Sequence, residues 1–261
     1  MSAANARAGR GPEQAFHFSI GCIPFHLHLQ DEGLFSTALR RYAGFTSRPE
    51  KAVEIHADDF FPAGMPGADF SRQFEGAAVH VFSADAYFTG VRNEYALDSL
   101  LRILMSWVLL PHFGFLLHAA TVIRGGRAYV CTGRSGAGKS TVASLSPEGS
   151  VLTDEISLLR RENGVWRAYG TPFCGEFRAE GRNTSAPVAG IFNLAQAAEN
   201  GIKPLRAAEL LRKVLPNTLF FSRERDPNAR LLEILGAAAL EIPGYHLEFR
   251  KHPDFWEVVP E

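Results

Sequence analysis

Eight consecutive residues, Gly133 to Ser140, have the types and the spacing that bind phosphate groups. They read G-R-S-G-A-G-K-S and fit the P-loop pattern G-x-x-x-x-G-K-[ST]. In such a loop the glycines let successive backbone N–H groups point at a phosphate, and the positive end of the following helix adds to that field. Lys139 would reach the β- and γ-phosphates, and the Ser140 hydroxyl would bind Mg²⁺. The predicted cradle consists of Gly133, Arg134, Ser135, Gly136, Ala137, Gly138, Lys139, Ser140 and Thr141.

A P-loop needs a strand before it and a helix after it. Residues 128–132 are a good buried strand, and residues 140–145 can form one short helix. Another apolar strand, 116–123, comes before a turn that contains Gly125 and Gly126, so the loop follows a β-hairpin. The strand before the loop is therefore antiparallel to its neighbour, whereas most P-loop enzymes have a parallel βαβ unit there.

Acidic residues and a histidine supply the other groups that phosphoryl transfer needs. Asp154 and Glu155 follow a short strand, 149–152, which we expect beside the P-loop strand. One carboxylate could hold Mg²⁺ while the other takes a proton from a hydroxyl, and His118 could hydrogen-bond the basic carboxylate. Glu176, in a loop with Arg178 and Arg182 nearby, could contribute to the metal or the acceptor. Such acids are also typical of helix caps and solvated turns, and such arginines of surface loops.

Composition argues against several classes of protein, namely nucleic-acid-binding, membrane-spanning and secreted proteins. The net charge of −1 means that the chain lacks the excess of positive charge that would attract nucleic acid or an anionic membrane. The most apolar stretch, 97–117, contains Asp98, Arg102 and Pro111, which favours a buried helix over a membrane span. Three distant cysteines indicate a reducing compartment, and the start of the chain has no apolar segment of a signal peptide. We therefore predict a cytoplasmic protein.

The patterns predict a tail over residues 1–12, a small α+β unit over 13–94 and a larger domain over 95–261. In the first unit, alternation predicts paired strands at 16–20 and 25–29, where His26 and His28 share the polar face. We interpret both histidines as solvated positions rather than a metal pair. The remaining predictions are a helix at 34–45, strands at 52–57, 77–82 and 86–91, and an irregular loop at 60–76.

The larger domain begins with a predicted buried helix at 98–110. An Asn-Gly turn predicts a hairpin of 156–161 with 165–169, and further strands are expected at 189–194 and 245–249. Helices are expected at 207–215 and from Asp226 to Leu240, with Asp226 as the cap and Pro227 at the first position.

Several motifs in this order resemble those of a known family. L-H-A-A-T, C-T-G-R-S-G-A-G-K-S-T, V-L-T-D-E and G-T-P-F-C-G-E resemble the C-terminal catalytic domain of the HPr kinase/phosphorylase family, from Phe115 onwards. The resemblance is greatest to HPr-kinase-like serine kinases encoded beside peptide-modification genes. It implies a mixed-sheet α/β (α+β) P-loop kinase domain of the HPr kinase/phosphoenolpyruvate carboxykinase type, preceded by the small α+β unit.

The resemblance also implies roles for three residues. Asp154 matches the base that faces the acceptor serine, Glu155 the acid that helps to hold Mg²⁺ with Ser140, and His118 the histidine that supports the base. The family's Leu-His-Gly is Leu-His-Ala here, and its second Asp is Glu155. The long glycine-rich signature of the bifunctional enzymes is missing, so neither phosphorolysis nor HPr as the substrate is predicted.

The resemblance thus implies a kinase that uses ATP and Mg²⁺ to phosphorylate a serine of a peptide or protein. Catalytic roles fall to Asp154, His118, Lys139 and Glu176. A small-molecule kinase with the same site, a carboxykinase-like lyase and a non-catalytic ATP-binding module remain alternatives. Family members often assemble, which leaves a homo-oligomer open.

Overall fold

The computed structural model describes residues 14–49, 51–57, 67–83, 85–147, 149–173 and 181–260. Within them the protein is a mixed α+β protein with two mixed sheets. The chain divides into two compact units, Met1–Leu104 and Met105–Glu261. The tail predicted over residues 1–12 lies outside the described residues.

The first unit is built on one six-stranded sheet in the order β1-β2-β3-β6-β5-β4. The β2–β3 and β3–β6 pairs are parallel, and the other pairs are antiparallel. Its elements are β1 (Gln14–Ile20), β2 (Ile23–Leu29), α1 (Glu32–Arg41), β3 (Val53–Ala57), β4 (Phe70–Phe74), β5 (Ala77–Phe82) and β6 (Asp85–Thr89).

The predicted strands of this unit are confirmed, and one predicted loop is partly wrong. Alternation in β1 and β2 buries Phe18, Phe25 and Leu27 on one face, as a period of two requires. The loop expected at 60–76 contains β4, an edge strand whose one partner among the described residues is β5. In β4 only Phe70 is buried, so the alternating pattern that identifies a strand is absent from it.

The apolar stretch after β6 begins with a helix, α2 (Glu94–Val108), as predicted, although the helix begins four residues earlier than expected. Its one acidic residue in the apolar part, Asp98, is buried and accepts hydrogen bonds from Arg41 and the Tyr42 hydroxyl. No helix in the described ranges is both long and apolar enough to cross a membrane.

The second unit contains a larger sheet whose main path is β11-β10-β7-β8-β12-β15-β13. Because β11 also pairs with the start of β12, the strands β11, β10, β7, β8 and β12 form a closed ring of paired strands. The elements are β7 (Gly114–Arg124), β8 (Arg127–Thr132), α3 (Lys139–Leu145), β9 (Val151–Thr153), β10 (Ile156–Glu162), β11 (Val165–Tyr169), β12 (Ser185–Gln196), β13 (Gly201–Leu205), α4 (Ala207–Val214), β14 (Thr218–Leu219), α5 (Arg225–Glu241), β15 (Gly244–Phe249) and a final 3₁₀ turn, Pro253–Glu257.

The strand before the P-loop is β8, and side chains cover it on both faces. Ala128 and Val130 belong to a cluster with apolar side chains of α4 and α5, while Tyr129 and Cys131 pack with β12, β15 and the final turn. The β7–β8 hairpin is confirmed, since the two strands are antiparallel. On its other edge β8 is parallel to β12.

Two expectations for this unit are wrong, and one strand was missed. The strand before Asp154, β9, pairs with β7 and not with β8, because β7 and β12 occupy both edges of β8. Strand β13 was not predicted, and it pairs with the predicted β15 at the end of the sheet path. Asp226 does not cap α5, since the N-cap is Glu224 and Asp226 lies inside the first turn.

Candidate functional site

The loop from Gly133 to Gly138 connects β8 to α3 through backbone angles that favour glycine. Gly133, Gly136 and Gly138 have φ values of 151°, 76° and 108°. A Cβ at Gly133 would lie 2.9 Å from the Cβ of Ala137, and one at Gly138 would lie 2.5 Å from the Phe249 ring. The two glycines that the motif specifies are therefore required by close contacts as well as by φ.

Contacts within the chain hold this loop in shape. The Lys139 ammonium donates hydrogen bonds to the carbonyl oxygens of Gly133, at 2.9 Å, and Arg134, at 3.4 Å. The Ala137 N–H donates to the Arg134 carbonyl, and the Gln196 side chain at the end of β12 donates to the Gly136 carbonyl at 2.7 Å. Lys139 is 8% exposed, and its burial lowers its pKa. The loop thus keeps a buried cation next to its own backbone.

Strand β7 brings His118 to the loop. Its next residue, Ala119, pairs with Thr132 at the end of β8, and the Thr132 hydroxyl donates to the His118 carbonyl at 2.9 Å. On the other edge of β7, His118 pairs with Ile156 at the start of β10. A residue distant from the P-loop in sequence therefore lies at the point where the loop begins.

The turn between β9 and β10 presents the two acids. The Ala119 N–H donates to the Glu155 carbonyl at 2.9 Å, and the Thr153 hydroxyl donates to the Ile156 carbonyl at 3.0 Å. Asp154 is 5% exposed, whereas Glu155 is half-buried. Strand β7 thus connects the acidic turn to the P-loop strand, although the acids do not follow an adjacent strand as predicted.

One cavity of about 360 Å³ brings these groups together. P-loop residues line it alongside the histidine and both acids. Its lining consists of His118, Ser135, Gly136, Gly138, Lys139, Ser140, Thr141, Asp154, Glu155 and Gln196. Glu176 and Arg178 lie outside the described residues, so the predicted contribution of Glu176 stays a prediction. Arg182 does not line this cavity, and its guanidinium donates to the Gly149 carbonyl.

The donors in this cavity suit a nucleotide phosphate with a magnesium ion. Hydroxyl and carboxylate oxygens, from Ser140, Asp154 and Glu155, are the hard ligands that Mg²⁺ prefers. A lysine ammonium and glycine-rich backbone suit phosphate oxygens. A buried carboxylate within the same cavity can accept a proton. The residues present therefore fit both groups.

A second cavity, of about 820 Å³, is also lined by residues of the loop. It is lined by Arg134 to Ala137 of the loop and by the end of β12, together with Arg212, Lys213 and His246. No acidic residue is among the described residues that line it. Sequence reasoning missed this cavity, because its lining comes from segments that are distant in the chain.

Comparisons with known proteins identify a family, and solved structures are among the matches. No curated protein matches the chain. The structure of the Hpr(Ser) kinase/phosphatase from Coxiella burnetii is similar at 13% identity and a TM-score of 0.25, over 47% of this chain and 87% of that one. The family model described as SynChlorMet cassette protein ScmC matches residues 97–261. Because this match covers more than half of the sequence, the chain belongs to the SynChlorMet cassette protein ScmC family.

Proposed function

We propose that the protein is an ATP-dependent kinase that transfers the γ-phosphoryl group to a hydroxyl, and that the acceptor is a serine of a peptide or protein. The observation that carries this proposal is the single cavity lined by Lys139 and Ser140 together with His118, Asp154 and Glu155. Phosphoryl transfer needs a phosphate cradle, a metal site and a base within reach of one another.

Each residue takes one part of the reaction. Lys139 and the loop amides hold the phosphates of ATP, and Ser140 and Glu155 would hold Mg²⁺. When bound, Mg²⁺ neutralises charge on the phosphate oxygens. Asp154 takes the proton of the acceptor hydroxyl. The hydroxyl oxygen forms a bond to the γ-phosphorus. At the same time the bond between that phosphorus and the bridging oxygen breaks, and this oxygen leaves as part of ADP. His118 supports the Asp154 carboxylate in this role.

The choice of a serine acceptor rests on the resemblance of the sequence motifs to those of HPr-kinase-like serine kinases. The family is described as a cassette protein, and we propose to seek the acceptor first among the products of neighbouring genes. The same proposal assigns catalysis to the domain over residues 95–261. HPr is not proposed as the substrate, because the glycine-rich signature of the bifunctional enzymes is missing from the sequence.

The experiment measures transfer of label from γ-labelled ATP to a panel of serine peptides, neighbouring gene products and small hydroxyl compounds. We expect a serine-containing polypeptide to be labelled. Asp154→Asn should lower the rate by about 100-fold or more while ATP affinity changes little, since a positioned base contributes roughly 10²–10⁴-fold. Glu199→Gln, an exposed acid in the turn after β12, is the matched control and should keep full activity.

Three outcomes would count against the proposal in different ways. Labelling of small hydroxyl compounds alone would favour a small-molecule kinase with the same site. Binding of MgATP with no acceptor labelled would favour a non-catalytic module. Unchanged transfer in Asp154→Asn would remove the proposed base.

A further inference from the structure

The polar face of the first sheet carries a cluster of histidines around one carboxylate. His26 and His28 alternate along β2, and β2 is parallel to β3, where His26 is in register with Glu54 and His28 with His56. On the other edge of β2, His17 of β1 is in register with His26. The opposite face of the same strands carries the buried apolar side chains, so these polar side chains share one face.

Three donor atoms of this cluster converge. Oε2 of Glu54 lies 3.0 Å from Nδ1 of His26 and 2.8 Å from Nε2 of His28. The ligand atoms of these three residues lie within 4.8 Å of one another. Two ligands on a tetrahedral zinc ion, with bonds of about 2.0–2.1 Å, are about 3.4 Å apart. The three atoms are therefore close to the spacing that one metal ion requires.

Ring packing holds the imidazoles in place. The rings of His17 and His26 stack with centroids 3.9 Å apart and an interplanar angle of 4°. The rings of His28 and His56 lie 4.8 Å apart, and His56 in turn stacks on Tyr87 at 5.1 Å. Side chains that are already packed lose little rotamer freedom on binding an ion. The cluster is thus organised before any ligand arrives.

The charge states also suit a cation. Burial and the neighbouring His28 lower the pKa of His26, which favours the neutral imidazole whose lone pair binds metal. Burial alone would raise the pKa of Glu54, but its contacts with His28 and His26 lower it overall, so the carboxylate is ionised. A cation among these groups would replace the shared protons between the carboxylate and the two rings.

We propose that His26, His28 and Glu54 form a binding site for a divalent transition-metal ion, best matched by Zn²⁺. Two imidazoles and one carboxylate are a recognised zinc ligand set that leaves a fourth position open. The side chains of His26, His28 and Glu54 are 22%, 17% and 36% exposed, so solvent reaches the open position. The ion would tie β2 to β3, and the site is independent of the proposed kinase activity.

The test is a titration of the full chain with Zn²⁺ and with Co²⁺ in excess Mg²⁺, followed by calorimetry and by the Co²⁺ absorption spectrum. We expect His26→Gln and His28→Gln each to weaken Zn²⁺ binding about tenfold or more, and to remove the Co²⁺ bands of a low-coordinate nitrogen site. His80→Gln is the matched control, because His80 lies on β5 of the same sheet and contacts Ser71.

Circular dichroism of each variant checks that the sheet is intact, and a histidine whose side chain is partly exposed should tolerate glutamine. Zn²⁺ affinity that is equal in the wild type and both variants would overturn the proposal. So would a wild-type chain that binds neither ion. Loss of binding in His80→Gln to the same extent would also overturn it, because the effect would then not be specific to the cluster.

Discussion

At the scale of single residues, two glycines of the P-loop, Gly136 and Gly138, differ in what lies next to them. Gly138 packs against the ring of Phe249 in β15, whereas Gly136 has no heavy atom within 4 Å of an added Cβ. Both have positive φ, so an alanine at either position costs about 1 kcal/mol in backbone conformation. Only Gly138 adds a steric overlap, and the motif specifies glycine at 138 but not at 136.

This difference leads to the first prediction. Gly138→Ala should lower the free energy of unfolding by about 1–3 kcal/mol more than Gly136→Ala, because the added methyl group must displace a buried ring. Urea unfolding of the two variants measures the difference. Equal destabilisation by both substitutions would contradict the packing argument, because the positive φ alone would then account for the loss in free energy of unfolding.

At the scale of elements, a buried carboxylate on α2 holds the end of α1. Asp98 is 4% exposed, and both Nε of Arg41 and the Tyr42 hydroxyl donate to it. Burial, and after it the charge of Asp98, raises the pKa of Tyr42 well above its usual value, so the phenol stays protonated as a donor. Asp98, the charged residue that interrupts an apolar stretch of the sequence, therefore links α2 to the end of α1 by hydrogen bonds.

We expect Asp98→Ala to destabilise the protein by about 2–4 kcal/mol, because it leaves the Tyr42 hydroxyl buried without its acceptor and removes the partner of Arg41. Denaturant unfolding measures this loss. Tyr95→Ala, on the same helix at a side chain that is 65% exposed, is the control and should change stability little. A loss in Asp98→Ala no larger than in the control would contradict this account.

At the scale of the whole molecule, the residues proposed for catalysis belong to the second compact unit, and so does most of the family match. That unit packs apolar side chains on both faces of β8, so the P-loop emerges from the interior of the sheet. A ligand held by this loop should stabilise the folded unit, because a ligand that binds only the folded state shifts the unfolding equilibrium.

MgATP at about 100 times its dissociation constant should stabilise the protein by about 2.7 kcal/mol, which corresponds to a rise in melting temperature of about 5–10 °C. Differential scanning calorimetry with and without MgATP measures the shift. Lys139→Met should abolish most of it, whereas Lys203→Met, at a lysine with a 72% exposed side chain, should not. A shift that persists unchanged in Lys139→Met would argue against nucleotide binding at this loop.

Prediction from sequence succeeded where the pattern is local. The β1–β2, β7–β8 and β10–β11 pairs are confirmed, because alternation and short turns determine neighbouring antiparallel strands. It failed for β4 and β13, which lie at sheet edges and have little buried surface to mark them. It also misplaced β9 beside β8, since strand order depends on which edges are already occupied.

The sequence by itself determined that a glycine-rich loop with the P-loop pattern follows the second strand of a hairpin, because glycine spacing and alternation act over a few residues. It also predicted that His118, Asp154 and Glu155 belong to the same site as this loop. Only the tertiary structure decided that these residues line one cavity with Lys139, since β7 pairs on one edge with the P-loop strand and on the other with the acidic turn. The histidine–glutamate cluster and the second cavity likewise depend on the tertiary structure. Strand register and helix packing bring together segments that are distant in the chain, and a local sequence pattern does not show this.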